Sequence, residues 1–195
     1  MRSAHPALAV FGFIVLAASI LSPAVTAAQN ARPSRPRDPA LPSPAHERMA
    51  VFEGTWTMAP GAWFESGAAP AGKAEETCAW LAGGRRHMVC RRWTEAAESG
   101  VRREAIQVLS YRDRDSTYVA HFAFPNGATL TYHGRIEGER WVMNLQRTPL
   151  IPSKLRLRTI ITPEADGLRF VEEASEEGGT WRVTEDYRYV RVMPD

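Results

Sequence analysis

From Gly54 to Val192 the chain is a nearly unbroken succession of short alternating segments, separated by turns of Gly, Pro, Asn and Asp. No stretch of that region carries the apolar period of a long amphipathic helix. An antiparallel series of that length must close or curl to hide its edge strands. Closure gives a barrel with an interior. The pattern predicts strands at 53–58, 62–66, 73–81, 86–94, 101–111, 116–124, 128–137, 140–147, 154–162, 168–175 and 180–192. A short helical turn over residues 46–52 is expected to close one end.

The turns fix how these strands pair. Phe124-Pro125-Asn126-Gly127-Ala128 fits a type I turn with Pro second and Gly in the left-handed position. Glu137-Gly138-Glu139-Arg140 fits a two-residue turn with Gly first. Across the first, Phe122 should meet Leu130, and Ala120 should meet Tyr132. Across the second, Ile136 should meet Trp141, and Tyr132 should meet Leu145. Across the last turn, at Glu176 to Gly179, Ala174 should meet Trp181, and Leu168 should meet Tyr187.

These pairings put one apolar set on a single face: Leu109, Tyr118, Phe122, Phe124, Leu130, Tyr132, Trp141, Met143, Leu145, Leu168, Phe170, Trp181, Val183, Tyr187 and Tyr189. The other face holds His121, Thr129, Thr131, His133, Asn144, Gln146, Arg169 and Arg182. One dry face and one wet face suit an antiparallel meander. The expected fold is therefore all-β, a single up-and-down antiparallel barrel of about ten strands. The register of strand 154–162 stays open, because Leu155, Leu157 and Ile161 suit one phase and Ile160 the other.

Cys78 and Cys90 flank the turn Ala82-Gly83-Gly84-Arg85. A hairpin centred on Gly84 sets Cys78 opposite Cys90, within reach of a cross-strand bond. A two-residue turn on Gly83-Gly84 would shift the register by one and separate the thiols. A structural disulfide is the favoured reading. The spacing is not that of a redox CxxC pair, and two cysteines alone make no zinc site.

The N-terminus points to export. Arg2 precedes an apolar run from Ala7 to Leu21, followed by small residues through Ala28. That is the layout of a cleaved secretory signal over 1–28, too short for a permanent membrane span. Residues 29–46 are Pro-rich and lack apolar periodicity, as expected of a disordered linker. The remaining 47–193 is the size of one domain. A periplasmic or secreted location follows, with no stable membrane span once the signal is removed.

Charge excludes little by itself: Lys and Arg total 24 and Asp and Glu 22. The arginines are spread over many strands, whereas a nucleic-acid surface would cluster them, so no nucleic-acid partner is expected.

Gly54-Thr55-Trp56 resembles the G-x-W start of lipocalin-like (calycin) barrels. In that fold an Arg of the last strand packs over the Trp. The resemblance implies a structural pair of Trp56 with Arg188, or with Arg191 as the alternative. The chain also resembles the bacterial DUF1579 family, lipocalin-like barrels of unknown function. The resemblance is carried by Phe52-Glu53-Gly54-Thr55-Trp56, Trp80-Leu81-Ala82-Gly83-Gly84-Arg85, Leu109-Ser110-Tyr111 with Tyr118, and Glu173-Ala174-Ser175 through Gly178-Gly179-Thr180-Trp181 to Tyr187-Arg188-Tyr189. It implies a fold and no activity. Nitrobindin-like haem barrels share the G-x-W start but hold haem through a late His. Here the last His is His133, so no cofactor is expected.

Glu172 and Glu185 alternate with Phe170, Val183 and Tyr187 on the inward-reading face. A charge there needs a partner or a shifted pKa. Arg103 also reads inward and is a candidate partner. With Tyr118, Tyr132, Trp141 and Tyr187 these residues make a candidate ligand site. The competing reading is a filled core holding a satisfied ion pair. His121 and His133 fall as diagonal neighbours on the wet face, with no third ligand at fixed spacing, so no metal site is expected. No nucleophile elbow, HExxH or phosphate loop is present, and no catalytic residue is assigned. The favoured function is non-covalent binding of a small, partly apolar molecule. A filled interaction module and an enzyme using an interior carboxylate are the alternatives.

Overall fold

The computed structural model describes residues 42–64, 73–95 and 99–193. The expected signal at 1–28, and the linker as far as residue 41, lie outside the described residues. No helix among the described residues is long and apolar enough to cross a membrane.

A one-turn helix α1 (Pro44–Glu47) runs into a 3-10 turn (Arg48–Phe52). The strands follow in chain order: β1 (Gly54–Met58), β2 (Trp63–Phe64), β3 (Lys73–Trp80), β4 (His87–Glu95), β5 (Arg102–Arg112), β6 (Thr117–Ala123), β7 (Thr129–Glu137), β8 (Arg140–Leu145), β9 (Leu155–Pro163), β10 (Gly167–Glu176) and β11 (Arg182–Arg191). From β3 to β11 each strand pairs antiparallel with the next, and β1 joins β3 to β11. The result is a closed ten-strand up-and-down barrel. The two-residue β2 extends the edge that β1 begins: β1 lies against Tyr189–Arg191 and β2 against Glu185–Asp186.

The predicted pairs across the first two turns are present: Phe122 with Leu130, Ala120 with Tyr132, Ile136 with Trp141 and Tyr132 with Leu145. The β6–β7 turn closes with Phe124 N–H donating to Ala128 O at 3.0 Å, and Gly127 takes φ 82°. Cys78 faces Cys90 and the two are bonded, with Cα atoms 4.0 Å apart. The Gly84-centred register is the one adopted, and Gly83 and Gly84 supply the positive φ it requires.

The last hairpin differs from the expected register. Ala174 meets Arg182 instead of Trp181, and Leu168 meets Tyr189 instead of Tyr187. A bulge accounts for part of the offset: Glu172 faces Glu185 while Glu173 faces Val183, which leaves Thr184 as the extra residue. The Thr184 hydroxyl anchors it by donating to the Glu172 carbonyl at 3.2 Å. Val183 is therefore 42% exposed, not interior. Trp181 lies outside too, beneath the Arg158 guanidinium at 4.2 Å. The open register of β9 resolves in favour of Leu155, Leu157 and Ile161, because Ile161 faces Phe170 on one side and Trp141 on the other.

The plug at one end is built from local chemistry. Pro44 at the first helical position presets φ, and Ser43 caps the turn, with its backbone N–H donating to His46 Nδ1 at 3.2 Å. Met49, Phe52 and His46 are buried. The Tyr118 hydroxyl ties the plug down by donating to Ala45 O at 3.0 Å. Packed structure thus begins inside the stretch read as linker. Ser43 to His46 bury surface against the barrel, which a composition argument does not detect.

Candidate functional site

Inside the barrel lies a cavity of about 170 Å3. Phe52 reaches it from the plug, and Phe124 and Leu130 reach it from the β6–β7 end. Trp141, Met143, Ile161 and Phe170 form apolar wall between them. Ala105 and Ala120 leave the room, since their inward positions carry only a methyl group. Leu109 and Phe122 add to the apolar wall, and the polar lining is Arg92, Gln107, Thr159, Glu172 and the phenols Tyr132 and Tyr187. An apolar chamber with a few convergent polar groups is the usual form of a small-molecule site.

The polar groups are ordered by specific bonds. Arg92 holds Glu76 with its Nε 2.6 Å from Oε2, and its second nitrogen lies 2.5 Å from the same oxygen. Glu172 accepts from the Thr159 hydroxyl at 3.2 Å and the Tyr187 hydroxyl at 3.4 Å, both through Oε1. Among the described residues no donor reaches its Oε2 or the Glu185 carboxylate, and no buried side-chain oxygen lacks a partner. These oxygens are therefore not fully buried, and of the two residues Glu172 lines the cavity.

Burial raises the pKa of Glu172, against the pull of Arg92 and its two donors. Glu185 is pushed up to about 7, by burial first and then by Glu172 across the ladder, with Arg92 opposing. Burial also raises Tyr132 and Tyr187, which therefore stay protonated donors at neutral pH.

Of the residues singled out from sequence, Tyr132, Trp141, Glu172 and Tyr187 line the cavity. Glu185 faces Glu172 on the next strand. Tyr118 is buried but packs on Trp141 at 4.4 Å and serves the plug. Arg103 keeps the inward phase of β5 but sits near the strand's first residues, exposed and away from the cavity. The cation inside is Arg92, with Glu76 as its partner. The sequence held a signal for both. Once Cys78 and Cys90 face inward, Glu76 and Arg92, two residues along each strand, must face inward as well.

The G-x-W pair also resolves. Arg191 lies over Trp56 at 4.2 Å, and its guanidinium donates to Glu53 O at 2.7 Å. Arg188 instead turns outward to Glu164, at 2.6 Å, and to Asp166. Arg191 and Arg188 lie in opposite phases of β11, so only one of them can reach Trp56. His121 and His133 are diagonal neighbours, and His121 Nδ1 lies 3.0 Å from the Thr131 hydroxyl. Among the described residues the grouping with metal-ligand spacing is Glu76, Cys78 and Cys90. The disulfide already consumes both of its sulfurs.

Fold and site together define a closed antiparallel barrel with an internal, partly polar chamber. Residues 41–191 match the family described as "Protein of unknown function (DUF1579)", and the chain belongs to that family. The fold is also similar to the crystal structure of Rv2717c from M. tuberculosis, with a TM-score of 0.54. That match has 15% sequence identity and covers 77% of this chain and 99% of the other. It is a likeness of fold. No curated protein matches the sequence.

Proposed function

We propose that this protein is an exported barrel that binds a small, partly apolar molecule in its interior without covalent chemistry. The carrying observation is the chamber of about 170 Å3, walled by aromatic and aliphatic side chains and bearing Glu172 and Arg92. An apolar cavity of about 150 Å3 admits a molecule the size of benzene. The ligand is therefore of single-ring or short-chain size with one polar end. Export is supported by the signal-like N-terminus and by the Cys78–Cys90 bond, which persists outside the cytoplasm.

Native mass spectrometry of protein purified from the organism that makes it tests this reading. The expected result is a retained small mass, lost on denaturation. Repeated absence of any retained mass, with no small aromatic molecule bound in vitro, favours the filled interaction module.

A second reading rests on the raised pKa of Glu172 and Glu185. A carboxylate pair that holds a proton near neutrality has the property a proton-transfer group needs. Under that reading a ligand leaves the protein chemically altered, whereas under the first it leaves unchanged.

A further inference from the structure

The charges on the polar side of the chamber are unequally partnered. Glu172 lines it, Glu185 faces Glu172 from the neighbouring strand, and Glu76 lies behind Arg92 as its partner. Among the described residues Arg92 is the cation that lines the chamber. Arg92 is already committed, since two of its nitrogens share Glu76 Oε2. Glu172 and Glu185 face one another directly in the β10–β11 ladder, where like charges are unfavourable. Neutral donors from Thr159 and Tyr187 occupy only one oxygen of Glu172. Its other oxygen has no donor among the described residues.

From this geometry we infer that the chamber selects a ligand with a protonated amine on a single apolar ring or short chain, the ammonium seated between Glu172 and Glu185. The inference rests on the chamber being a binding site and names the chemical class it takes. An ammonium placed there supplies the missing cation, donates to Glu172 Oε2, and separates the two carboxylates electrostatically. Its apolar body lies along Phe170, Trp141 and Met143. A carboxylate ligand meets the opposite situation, because it adds a negative charge beside Glu172 while the one lining guanidinium is already committed to Glu76. A neutral ligand leaves the carboxylate pair unrelieved.

The groups that set the pH response face the pair from each side. Glu76 on β3 and Arg92 on β4 lie nearby, with Tyr132 on β7, Thr159 on β9, and Tyr187 and Tyr189 on β11. Of the pair and the groups around it, Glu185 has a pKa of about 7, inside the range from pH 5 to 8. An incoming ammonium displaces the proton that the pair holds, so affinity rises over that range.

Three single-ring probes test the inference by isothermal titration calorimetry on the whole mature chain: benzylamine, its near-isostere benzyl alcohol, and benzoate. Benzylamine is expected to bind at least about tenfold more tightly than either of the others at pH 8. Its advantage shrinks at pH 5.5, and binding releases protons to buffer. Glu172→Gln abolishes the preference while retaining benzyl alcohol binding, which also shows that the variant is folded. Should that variant not fold, the pH dependence of the unaltered protein decides the matter. Equal or tighter binding of benzyl alcohol or benzoate overturns the amine assignment and leaves the chamber a binding site. Failure of all three probes, with no retained mass in native spectrometry, removes the binding reading itself.

Discussion

Glu172 and Glu185 stand directly opposite one another across the β10–β11 ladder, both turned toward the barrel interior. Thr184 makes this possible. Without the bulge the inward phase of β11 would run on unbroken through Val183. With it, Glu185, Tyr187 and Tyr189 share the interior while Val183 faces water.

The pair makes stability depend on pH. The folded pKa of Glu185 is about 7, and an unfolded glutamate titrates near 4.3, to about half a unit. The native state therefore binds more protons between those values. By linkage, stability is fully present below the unfolded value and is lost as pH rises through the folded one. Glu185→Gln removes this loss. The variant should melt at a higher temperature than the unaltered protein at pH 8 and show little difference at pH 5. Melting curves at the two pH values check this, and a pH-independent difference counts against it.

Arg92 and Glu76 form a buried ion pair whose removal should be asymmetric. Arg92→Met leaves the Glu76 carboxylate inside the barrel without its partner, at an expected cost of about 3–5 kcal/mol. Removing both charges, as in Glu76→Leu with Arg92→Leu, should recover much of that loss, because no uncompensated charge remains. Urea unfolding of the single and double variants measures the difference. A double variant that loses as much as the single one would show that packing, not charge, sets the cost.

The hairpins that were legible in sequence are those whose turns carry a specific residue at a specific place. Gly127 and Gly138 fix the β6–β7 and β7–β8 registers, and every predicted pair across them is present. The β10–β11 hairpin was not legible, because a bulge leaves its mark on hydrogen bonding and not on apolar alternation. Thr184 looks like any outward strand residue. The same limit separates Arg103 from Arg92. Phase placed Arg103 inward, but phase says nothing about height along the barrel, and Arg103 falls near the beginning of β5. Arg92 became legible only through Cys90, once their shared face was known. The cavity depends on summed side-chain volumes across strands remote in sequence, so no local pattern announces it.

Trp56 and Arg191 explain the glycine two residues before the tryptophan. Gly54 takes φ 126°, and a Cβ there would lie 2.5 Å from the Arg191 guanidinium. The side chain of Arg191 can shift, but the backbone conformation stays strained for any L residue. Gly54→Ala should therefore cost about 1–3 kcal/mol. Arg191→Ala should cost about 1 kcal/mol through the lost ring contact. Arg188→Ala, whose partners are surface carboxylates, should cost less than that. Urea unfolding ranks the three, and an Arg188 variant that is the most damaged reverses the assignment.

The Cys78–Cys90 bond closes a short loop, with a sequence separation of 12. Chain-entropy arguments give such a loop about 3 kcal/mol of stabilisation. The Cys78→Ala, Cys90→Ala variant should lose about that amount in denaturant unfolding. Both cysteines are at most 3% exposed, so reductant should act slowly on the folded protein and quickly once urea opens the barrel. Thiol labelling over time follows this, and rapid reduction without denaturant contradicts the buried position.

A cavity-filling change separates a ligand chamber from a packing defect. Ala120 lies on the chamber wall, in register with Leu109 on one side and Tyr132 on the other. Ala120→Leu adds three carbons where free volume exists, and filling a cavity commonly contributes about 0.5–2 kcal/mol of stability. The variant should be at least as stable as the unaltered protein, while losing any retained mass and any binding of a small aromatic probe. Together those outcomes identify the volume as space that evolution has kept open at the expense of stability. If binding survives in a stabilised Ala120→Leu protein, the ligand sits elsewhere on the barrel.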